Sequence, residues 1–513
     1  MKQFLKYIVP YVILIVICIP ALLPFIHTGF IATDDGSWLI IRLSAFYDSF
    51  RDGQFPVRFV ERINFGYGYP VSNFLYPGYL YIGSVIHFVG FGFIESVKIL
   101  FGLSIVFSAF FSYIWFRRLF GKIDSLVGSF VYLYTPYHLF DMYKRGSLGE
   151  ALSISVLPLA FYGIEKASTI LIALSVFSIL LFHNTLAVLF IPLIPLYAFM
   201  RKSFLRSLPG IILGGLMSSF FTIPAIFELR YTKFLETSIS NPFEYFADIQ
   251  LIGIGSLIIF VGLLFLLFTI YKKELNRVPY SGFVILMSII FILTLFFSSS
   301  FSKFIWENIN SSWIQFPYRL LSLVIIASAF FAAYISYILF NRIKIIVGIV
   351  IVFITIISAY SYFTAISYTD HPEEFYTTNE ATTTIHDEYM PKWVERNPTS
   401  RYTNKIEVIS GSVAVSNISE KSNLIEFQTV VAEPSVIRVN TIYYPGWKVF
   451  VEGEKREINY ENERGVIEFE LEQYDDRVYI SFQEDFVRII ADMISIIAVI
   501  ILIYYISRPL LKF

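Results

Sequence analysis

The sequence contains two adjacent aspartates, Asp34 and Asp35, whose carboxylates could take part in catalysis or bind a metal ion. One of them is suited to deprotonate a hydroxyl acceptor as a general base. Alternatively, the pair is suited to hold a divalent cation such as Mg²⁺ or Mn²⁺ against a phosphate leaving group. A structural role is also open, because an aspartate here would cap the amphipathic helix that the pattern predicts for residues 37–50. These interpretations do not exclude each other.

A second polar group occupies residues 137–150, between two apolar segments, and contains Asp141, Lys144, Arg145 and Glu150. Arginine and lysine bind phosphate through charge-assisted hydrogen bonds. In the functional interpretation, Lys144 or Arg145 binds a phosphate while Asp141 or Glu150 orients an acceptor. The alternative is a solvated loop whose charges flank two helix ends.

Arg319 lies about one turn inside an apolar run. A cation at that depth is costly unless it is paired or faces a polar cavity, so we treat it as a functional candidate. The alternative is a side chain that reaches back to the lipid headgroups. A lipid phosphate would lie at the depth of Arg319, which favours the functional interpretation. His183 and Glu228 also lie near helix ends, and we interpret both as polar boundaries.

The elements that must position these residues are predicted to be membrane-spanning helices. The 513 residues are 56% hydrophobic and 15% charged, with a mean hydropathy of +0.65, well outside the range of soluble globular proteins. Apolar runs long enough to cross about 30 Å of hydrocarbon recur along the chain. We therefore predict a polytopic α-helical membrane protein of about twelve transmembrane helices, near residues 8–27, 97–116, 123–138, 148–164, 167–182, 185–200, 207–226, 251–270, 280–298, 318–340, 344–364 and 487–507.

Charge and cysteine content exclude several classes of partner and site. The net charge of −1 indicates no polyanionic partner, and therefore no nucleic acid. The single cysteine, Cys18, excludes disulfides within the chain and any cysteine-based metal site. Walker loops, Gly-rich dinucleotide fingerprints, HExxH and GxSxG motifs are missing from the sequence, which argues against ATP-driven transport by this chain alone.

The apolar stretch at 76–93 decides the orientation of the chain. If it does not cross the membrane and the N-terminus is cytoplasmic, most lysines and arginines of the short loops lie inside, as in other membrane proteins. We therefore predict one long outside loop at residues 30–96 with a re-entrant or interfacial helix, which is acceptable where it packs on protein. The first apolar segment lacks a cleavage site and is read as a retained anchor in a bacterial plasma membrane.

A polar region interrupts the helices before the last one. Residues 1–364 form the predicted transmembrane domain, 365–486 an extracytoplasmic region, and 487–513 the last helix with a short cytoplasmic tail. Alternating apolar and polar residues predict seven or eight short strands and a β-sandwich at about 404–485, with strands that include 405–409, 424–430, 435–442, 447–451, 466–471 and 477–482. The aromatic run at 443–447 is interpreted as a turn with a core anchor, with a sugar-stacking cluster as the alternative.

Short motifs in a fixed order along nearly the full length carry a resemblance to a known family. They are Asp34-Asp35, residues 53–59, residues 66–70, Arg145-Gly146 with Glu150, residues 315–319 and residues 388–391. With them the chain resembles the GT-C superfamily of membrane glycosyltransferases, which take sugars from polyprenyl-phosphate or polyprenyl-diphosphate carriers. More narrowly, it is similar to the large bacterial membrane-protein family labelled 6-pyruvoyl-tetrahydropterin synthase-related. Residues 443–449 resemble the outside domain of related bacterial membrane proteins.

The resemblance implies a GT-C-like fold and a site on the outer face. Asp34 or Asp35 would match the first-loop acid of the superfamily, and Arg319 would bind the carrier phosphate. Superfamily members show Asp-x-Asp or Glu-x-Asp where this chain has adjacent aspartates, which leaves the cation open. The implied partners are a polyprenyl-phosphate-linked sugar, an envelope glycan or lipid acceptor, and membrane lipids.

Two functions of other classes remain as alternatives. A transporter or flippase for lipid-linked saccharides would use Arg319 and the acids to line a route, although such proteins often show internal repeats, which we do not find here. A non-catalytic envelope scaffold would bind polysaccharide through its β-domain and would tolerate loss of the aspartates.

Overall fold

The structure is a computed structural model of the chain. It describes residues 2–236, 245–270, 279–308, 314–339, 341–364, 366–381, 384 and 387–507. The predicted cytoplasmic tail at 508–513 lies outside these residues.

Helices dominate the part of the chain before residue 365. They are α1 (Lys2–Ile26), α2 (Gly36–Arg51), α3 (Gly78–Phe88), α4 (Phe93–Leu119), α5 (Lys122–Tyr134), α6 (Pro136–Phe140), α7 (Leu148–Glu165), α8 (Thr169–Phe182), α9 (Asn184–Phe190), α10 (Leu193–Met200), α11 (Phe204–Met217), α12 (Ser219–Glu228), α13 (Ile249–Ile252), α14 (Ile254–Ile270), α15 (Ser281–Ser298), α16 (Lys303–Trp306), α17 (Ser322–Ile338) and α18 (Asn341–Thr364). A short strand, β1 (Phe30–Ile31), follows α1.

Seven helical segments of the described chain are long and apolar enough to cross a membrane. They are Ile8–Ile26, Phe93–Leu119, Leu148–Glu165, Ser281–Ser298, Pro317–Ile338, Arg342–Phe363 and Phe486–Ser507. The pair Phe204–Met217 and Ser219–Tyr231, bent by 63°, would make an eighth if it is one span. The membrane character of the chain is thus supported, whereas the number of about twelve helices is not confirmed.

Several predicted spans are helical but broken or short. The predicted helix at 123–138 ends at Tyr134, because Thr135 precedes a proline and adopts an extended ψ of 133°. Asn184–Met200 continues through Pro192 as one apolar helix, whereas Gly253, with a φ of +83°, separates α13 from α14. A proline and a left-handed glycine therefore interrupt two apolar runs that hydropathy alone predicts to be continuous.

The apolar stretch at 76–93 contains only the 11-residue helix α3. At 1.5 Å per residue this helix is about 16 Å long, roughly half of the hydrocarbon thickness. It packs against α2, α4 and α8. Its length and contacts agree with the prediction that the stretch belongs to the first loop.

An antiparallel sheet domain lies between α18 and the last helix. The elements after α18 are, in chain order, β2 (Tyr368–Thr369), α19 (Glu373–Thr377), β3 (Ile406–Lys421), β4 (Leu424–Ile442), β5 (Trp447–Val451), β6 (Glu454–Arg456), β7 (Val466–Leu471), β8 (Arg477–Phe482) and the last helix, α20 (Phe486–Ser507). β3 to β8 form one antiparallel sheet, in the order β3-β4-β8-β5-β6, with β7 paired to β4. The sequence predicted seven or eight short strands in two sheets. The structure instead fuses the predicted strands at 424–430 and 435–442 into the 19-residue β4, which pairs with β8 at one end and β7 at the other.

The first loop joins the helices to this domain. β1 pairs with β2, and the backbone N–H of Ile442 donates to the carbonyl of Tyr67 at 2.8 Å. The buried Trp447 ring lies edge-on to Phe59, with 5.5 Å between centroids. Trp447 is therefore a core anchor, as the structural interpretation of residues 443–447 predicted.

Candidate active site

Glu150 is the centre of a buried polar cluster. It lies in the first turn of α7, is fully buried, and accepts hydrogen bonds from Arg145 and from Nε of Arg319, the latter at 2.7 Å. The hydroxyl of Tyr137 donates to the other carboxylate oxygen at 3.0 Å. Two arginines distant in sequence thus share one carboxylate, and the cluster unites two of the three predicted groups.

Interruptions of the helical structure between α5 and α7 bring Arg145 close to Glu150. Pro136 starts α6, which passes into a π-helical turn at Asp141–Arg145. Gly146 then ends this turn in the left-handed region, with a φ of +74°, which glycine adopts without a Cβ penalty. Leu148 starts α7 immediately afterwards, so that Arg145 and Glu150 face each other across the turn.

Arg319 lies in a short 3₁₀ helix, Pro317–Leu321, that leads into α17. Its Nη1 donates to the carbonyl of Ile314 at 3.0 Å and to Oε1 of Gln315 at 2.6 Å. The side chain is only 4% exposed, so it does not reach for lipid headgroups as the structural alternative supposed. The guanidinium groups of Arg319 and Arg145 both lie near the ring of Phe316, 4.9 and 5.4 Å from its centroid.

His183 is a member of this cluster that sequence reasoning did not assign to the site. Its Nδ1 accepts a hydrogen bond from the backbone N–H of Leu186 at 3.3 Å and thereby caps α9. This places the ring proton on Nε2, which lies 3.5 Å from Oε1 of Glu150. The sequence offered only one sign of this role, a histidine at the junction of two apolar helices.

The backbone of Asp34 and Asp35 is held against the same turn. Their N–H groups donate to the carbonyls of Lys144 and Arg145, at 3.0 and 2.8 Å. Thr33 packs closely on the turn, because a Cβ on Gly146 would lie 2.1 Å from its Oγ1. The first and second predicted groups therefore meet, as the functional interpretation requires.

The two aspartate side chains have different surroundings. Asp34 is exposed and lies 3.6 Å from Nζ of the equally exposed Lys144. Asp35 is half-buried at the start of α2, and its carboxylate makes no capping hydrogen bond. The electrostatic neighbours of Asp35 include Arg145 and Arg42. Asp35 therefore occupies the N-cap position that the sequence predicted, without the side-chain cap.

Asp141 lies beside the arginines and is fully buried. Burial and the neighbouring Glu150 carboxylate raise the pKa of Asp141, which favours its neutral form. One of its oxygens, Oδ1, lies 3.4 Å from Nη1 of Arg145. Burial therefore disfavours a second negative charge at Asp141, and Glu150 is the carboxylate that Arg145 and Arg319 share.

The described residues do not assemble a set of ligands for a metal ion. Within the part of the chain that the structure describes, no group of three or more histidine, cysteine, aspartate or glutamate side chains could hold one. Asp34 interacts with Lys144, and only Asp35 faces the cluster. The cation that Asp34 and Asp35 would hold against a phosphate stays a prediction, because such a site takes only one or two carboxylates and completes its ligands with phosphate oxygens.

A second buried ion pair links four parts of the chain. Arg488 in α20 donates to both oxygens of Glu228 at 2.7 and 2.8 Å, and both side chains are fully buried. Tyr444 of the sheet domain and Asn73 of the first loop also donate to Glu228, at 2.7 and 2.8 Å. Glu228 is thus an organising residue rather than the polar boundary that we inferred. The signal for this pair was a cation, Arg488, inside the last apolar run.

Arg58 of the motif at 53–59 has a similar structural role. It is 2% exposed and pairs with Glu484 at 3.1 Å and with Asp492 of α20 at 3.0 Å. Its Nη1 also donates to the carbonyl of Phe220 at 2.6 Å. This motif therefore ties the first loop to the last helix and lies apart from the Glu150 cluster.

Comparisons with protein-family models and with curated proteins found no match to this chain.

Proposed function

We propose that the protein is a membrane glycosyltransferase that moves a sugar from a polyprenyl-phosphate carrier to an envelope glycan or lipid acceptor. The observation that carries this proposal is the buried cluster in which Arg145 and Arg319 share Glu150, with the backbone of Asp35 bonded to Arg145. A phosphate leaving group needs positive charge, and an acceptor hydroxyl needs a base. Arg145 and Arg319 supply the charge, and Asp35, whose backbone contacts Arg145, supplies the base.

Arg145 and Arg319 are assigned to the leaving phosphate. Glu150 fixes both guanidinium groups but neutralises only one charge, and Phe316 packs against both. The Nη2 atoms of the two arginines have no hydrogen-bond partner among the described residues, which suits them to donate to phosphate oxygens. Lys144, which is exposed, adds a further cation at the edge of the cluster.

Asp35 is assigned as the general base. Asp34 is exposed and held near Lys144, whereas Asp35 is half-buried and is oriented by the backbone contact with Arg145. In the proposed step, the Asp35 carboxylate takes the hydroxyl proton of the acceptor as its oxygen attacks the anomeric carbon of the sugar. The bond from that carbon to the phosphate oxygen breaks, and the phosphate leaves with the electron pair. Attack from the opposite face inverts the anomeric configuration.

The proposal includes an orientation in a bacterial plasma membrane. The N-terminus is cytoplasmic, about twelve helices cross or enter the bilayer in a GT-C-like arrangement, and residues 365–486 are extracytoplasmic. The contacts of the first loop with the turn at Asp141–Arg145 and with the sheet domain support one common face for these parts. A membrane-borne donor also agrees with a sequence that lacks nucleotide-binding motifs.

Transfer by the purified full-length protein tests the proposal. The protein in nanodiscs is supplied with radiolabelled polyprenyl-phosphate and polyprenyl-diphosphate sugars and with envelope glycan and lipid acceptors. We expect one donor to give product, and Asp35→Asn to reduce the rate by about 100-fold or more, the usual contribution of a general base. Asp34→Asn is the matched control and should retain most of the rate.

Two results would overturn the proposal. The first is the lack of product with every donor, which favours a transporter or a scaffold. The second is product formation that is unaffected by Asp35→Asn and by Arg319→Ala.

A further inference from the structure

The turn between α10 and α11 forms an open concavity far from the Glu150 cluster. It has a volume of about 540 Å³ and is lined by the last residues of α10, the turn, and the first residues of α11. Lys202 adopts a left-handed φ of +53°, and its N–H donates to the carbonyl of Phe199 at 2.9 Å, so that the chain reverses sharply here. This reversal places Lys202 and Arg206 on the same concavity.

These two cations differ from the neighbouring Arg201. Arg201 donates to Glu165 through Nε at 2.6 Å and through Nη2 at 3.1 Å, and is therefore neutralised. Lys202 and Arg206 are exposed, and no acidic partner contacts either of them among the residues that the structure describes. The concavity therefore carries two uncompensated positive charges.

Large apolar side chains surround these charges. Phe199 is 69% exposed and Leu205 is 80% exposed, and both line the concavity. Exposed apolar groups beside basic groups are typical of the boundary between headgroups and acyl chains in a bilayer. An inorganic phosphate would use the charges and leave the apolar lining uncovered, whereas a phospholipid covers both.

The concavity lies on the opposite side of the helical domain from the candidate active site. Arg201 contacts Glu165 at the end of α7, whereas Glu150 lies in the first turn of the same helix. Fifteen residues at 1.5 Å per residue separate the two glutamates by about 22 Å along the helix axis. The two sites therefore lie at opposite ends of a helix that is long and apolar enough to cross a membrane.

We infer that this concavity binds an anionic phospholipid of the surrounding bilayer. Its phosphate accepts hydrogen bonds from Lys202 and Arg206, and its acyl chains lie along Phe199 and Leu205. This inference does not depend on the proposed glycosyl transfer, because it concerns the other end of α7.

Native mass spectrometry of the full-length protein tests the inference. The protein is released from detergent after incubation with equimolar phosphatidylglycerol and phosphatidylcholine. We expect adducts of phosphatidylglycerol to dominate, and the double variant Lys202→Ser/Arg206→Ser to lose this preference by about fivefold for each base removed. The matched control, Lys392→Ser/Arg396→Ser, removes two basic residues that have acidic partners elsewhere, and should leave the preference unchanged.

A second variant covers the case in which the double variant is unstable. Leu205→Glu keeps both cations but places a negative charge beside the phosphate, so it should also abolish the preference. Equal binding of the two lipids by the wild type would overturn the inference. So would a preference that survives both variants.

Discussion

At the scale of single residues, the cluster depends on the charge of Glu150. Its carboxylate receives hydrogen bonds from Arg145, Arg319 and Tyr137 in a fully buried position. Burying charges is costly unless each is paired, and removing one partner of a buried pair leaves the other uncompensated. Without the Glu150 carboxylate, Arg319 would lose its acidic partner among the described residues, and Arg145 would keep only Asp141.

We predict that Glu150→Gln destabilises the protein by about 3–5 kcal/mol, because it removes the carboxylate that two buried cations share. Tyr137→Phe, the matched control, removes one hydrogen bond to the same carboxylate and should cost only about 1 kcal/mol. Thermal unfolding of the purified variants in detergent measures both. Equal effects of the two substitutions would contradict this account of Glu150.

Gly146 gives a second prediction at this scale. Gly146→Ala places a Cβ against Thr33 in a left-handed residue, and should displace the Asp34-Asp35 segment. Gly53→Ala is the control, because Gly53 also has a positive φ, of +100°, but has no heavy atom within 4 Å of the added Cβ. We expect a larger loss of thermal stability, and of any transfer activity, for Gly146→Ala. Equal losses would show that backbone strain alone matters.

The sequence predicted the members of the candidate site better than their contacts. Asp34, Asp35, Arg145 and Glu150 were identifiable because charges beside apolar runs require an explanation. The difference between Asp34 and Asp35 was not predictable, because it depends on which side chain faces Lys144 after the loop folds. Pairings across about 170 or 260 residues, such as Arg319 with Glu150 and Arg488 with Glu228, leave no local pattern in one sequence.

At the scale of elements, a three-residue cluster holds the first loop against the sheet domain. Lys405 contacts Glu61 of the first loop at 3.0 Å and Glu420 of β3 at 2.7 Å. Burial, with the repulsion of Glu420, raises the pKa of Glu61. Burial would also raise the pKa of Glu420, but the attraction of Lys405 outweighs it and lowers this pKa. The pKa of Glu61 therefore lies above the ordinary glutamate value, and the pKa of Glu420 lies below it.

These shifts predict a pH dependence of stability. Because the folded pKa of Glu61 is raised, its contribution is fully present below the ordinary glutamate value of about 4.3 and is lost as the pH rises through the folded pKa. The contribution of Glu420 is present above that value and is lost as the pH falls through its lowered pKa. Above about pH 5 the contribution of Glu420 is constant, so that within this pair only Glu61 changes the stability as the pH rises.

We expect Glu61→Gln to flatten the decline of the unfolding temperature between pH 5 and pH 8, relative to the wild type. Thermal unfolding at both values measures the slope. Glu470→Gln, on the exposed face of β7, is the control and should keep the slope of the wild type. A variant at Glu61 with an unchanged slope would contradict the assignment.

The predicted elements and the observed ones differ for local physical reasons. Apolar composition placed helices in all the predicted spans, but Pro136 and Gly253 interrupt two of them. The alternation of apolar and polar residues located the sheet domain. It did not predict that β4 continues through Pro434, because proline within a strand pattern usually indicates the end of the strand.

At the scale of the whole molecule, the orientation of the two faces is open to direct measurement. Tyr474 is 85% exposed in a turn of the sheet domain, and Lys166 is exposed directly after the end of α7. In a Cys18→Ser background, a cysteine at position 474 should react with a membrane-impermeant maleimide on intact cells. A cysteine at position 166 should react only after permeabilisation. The reverse pattern would contradict the orientation.

The central claim is that Arg145, Arg319 and Asp35 act on one lipid-linked donor. Its most direct test is an electron cryomicroscopy structure of the wild-type protein with the active donor, or a non-hydrolysable analogue of it, in nanodiscs. We predict density for the donor phosphate in contact with Arg145 and Arg319, and the sugar between that phosphate and Asp35. Donor density at any other place, with the Glu150 cluster unchanged, would contradict the account.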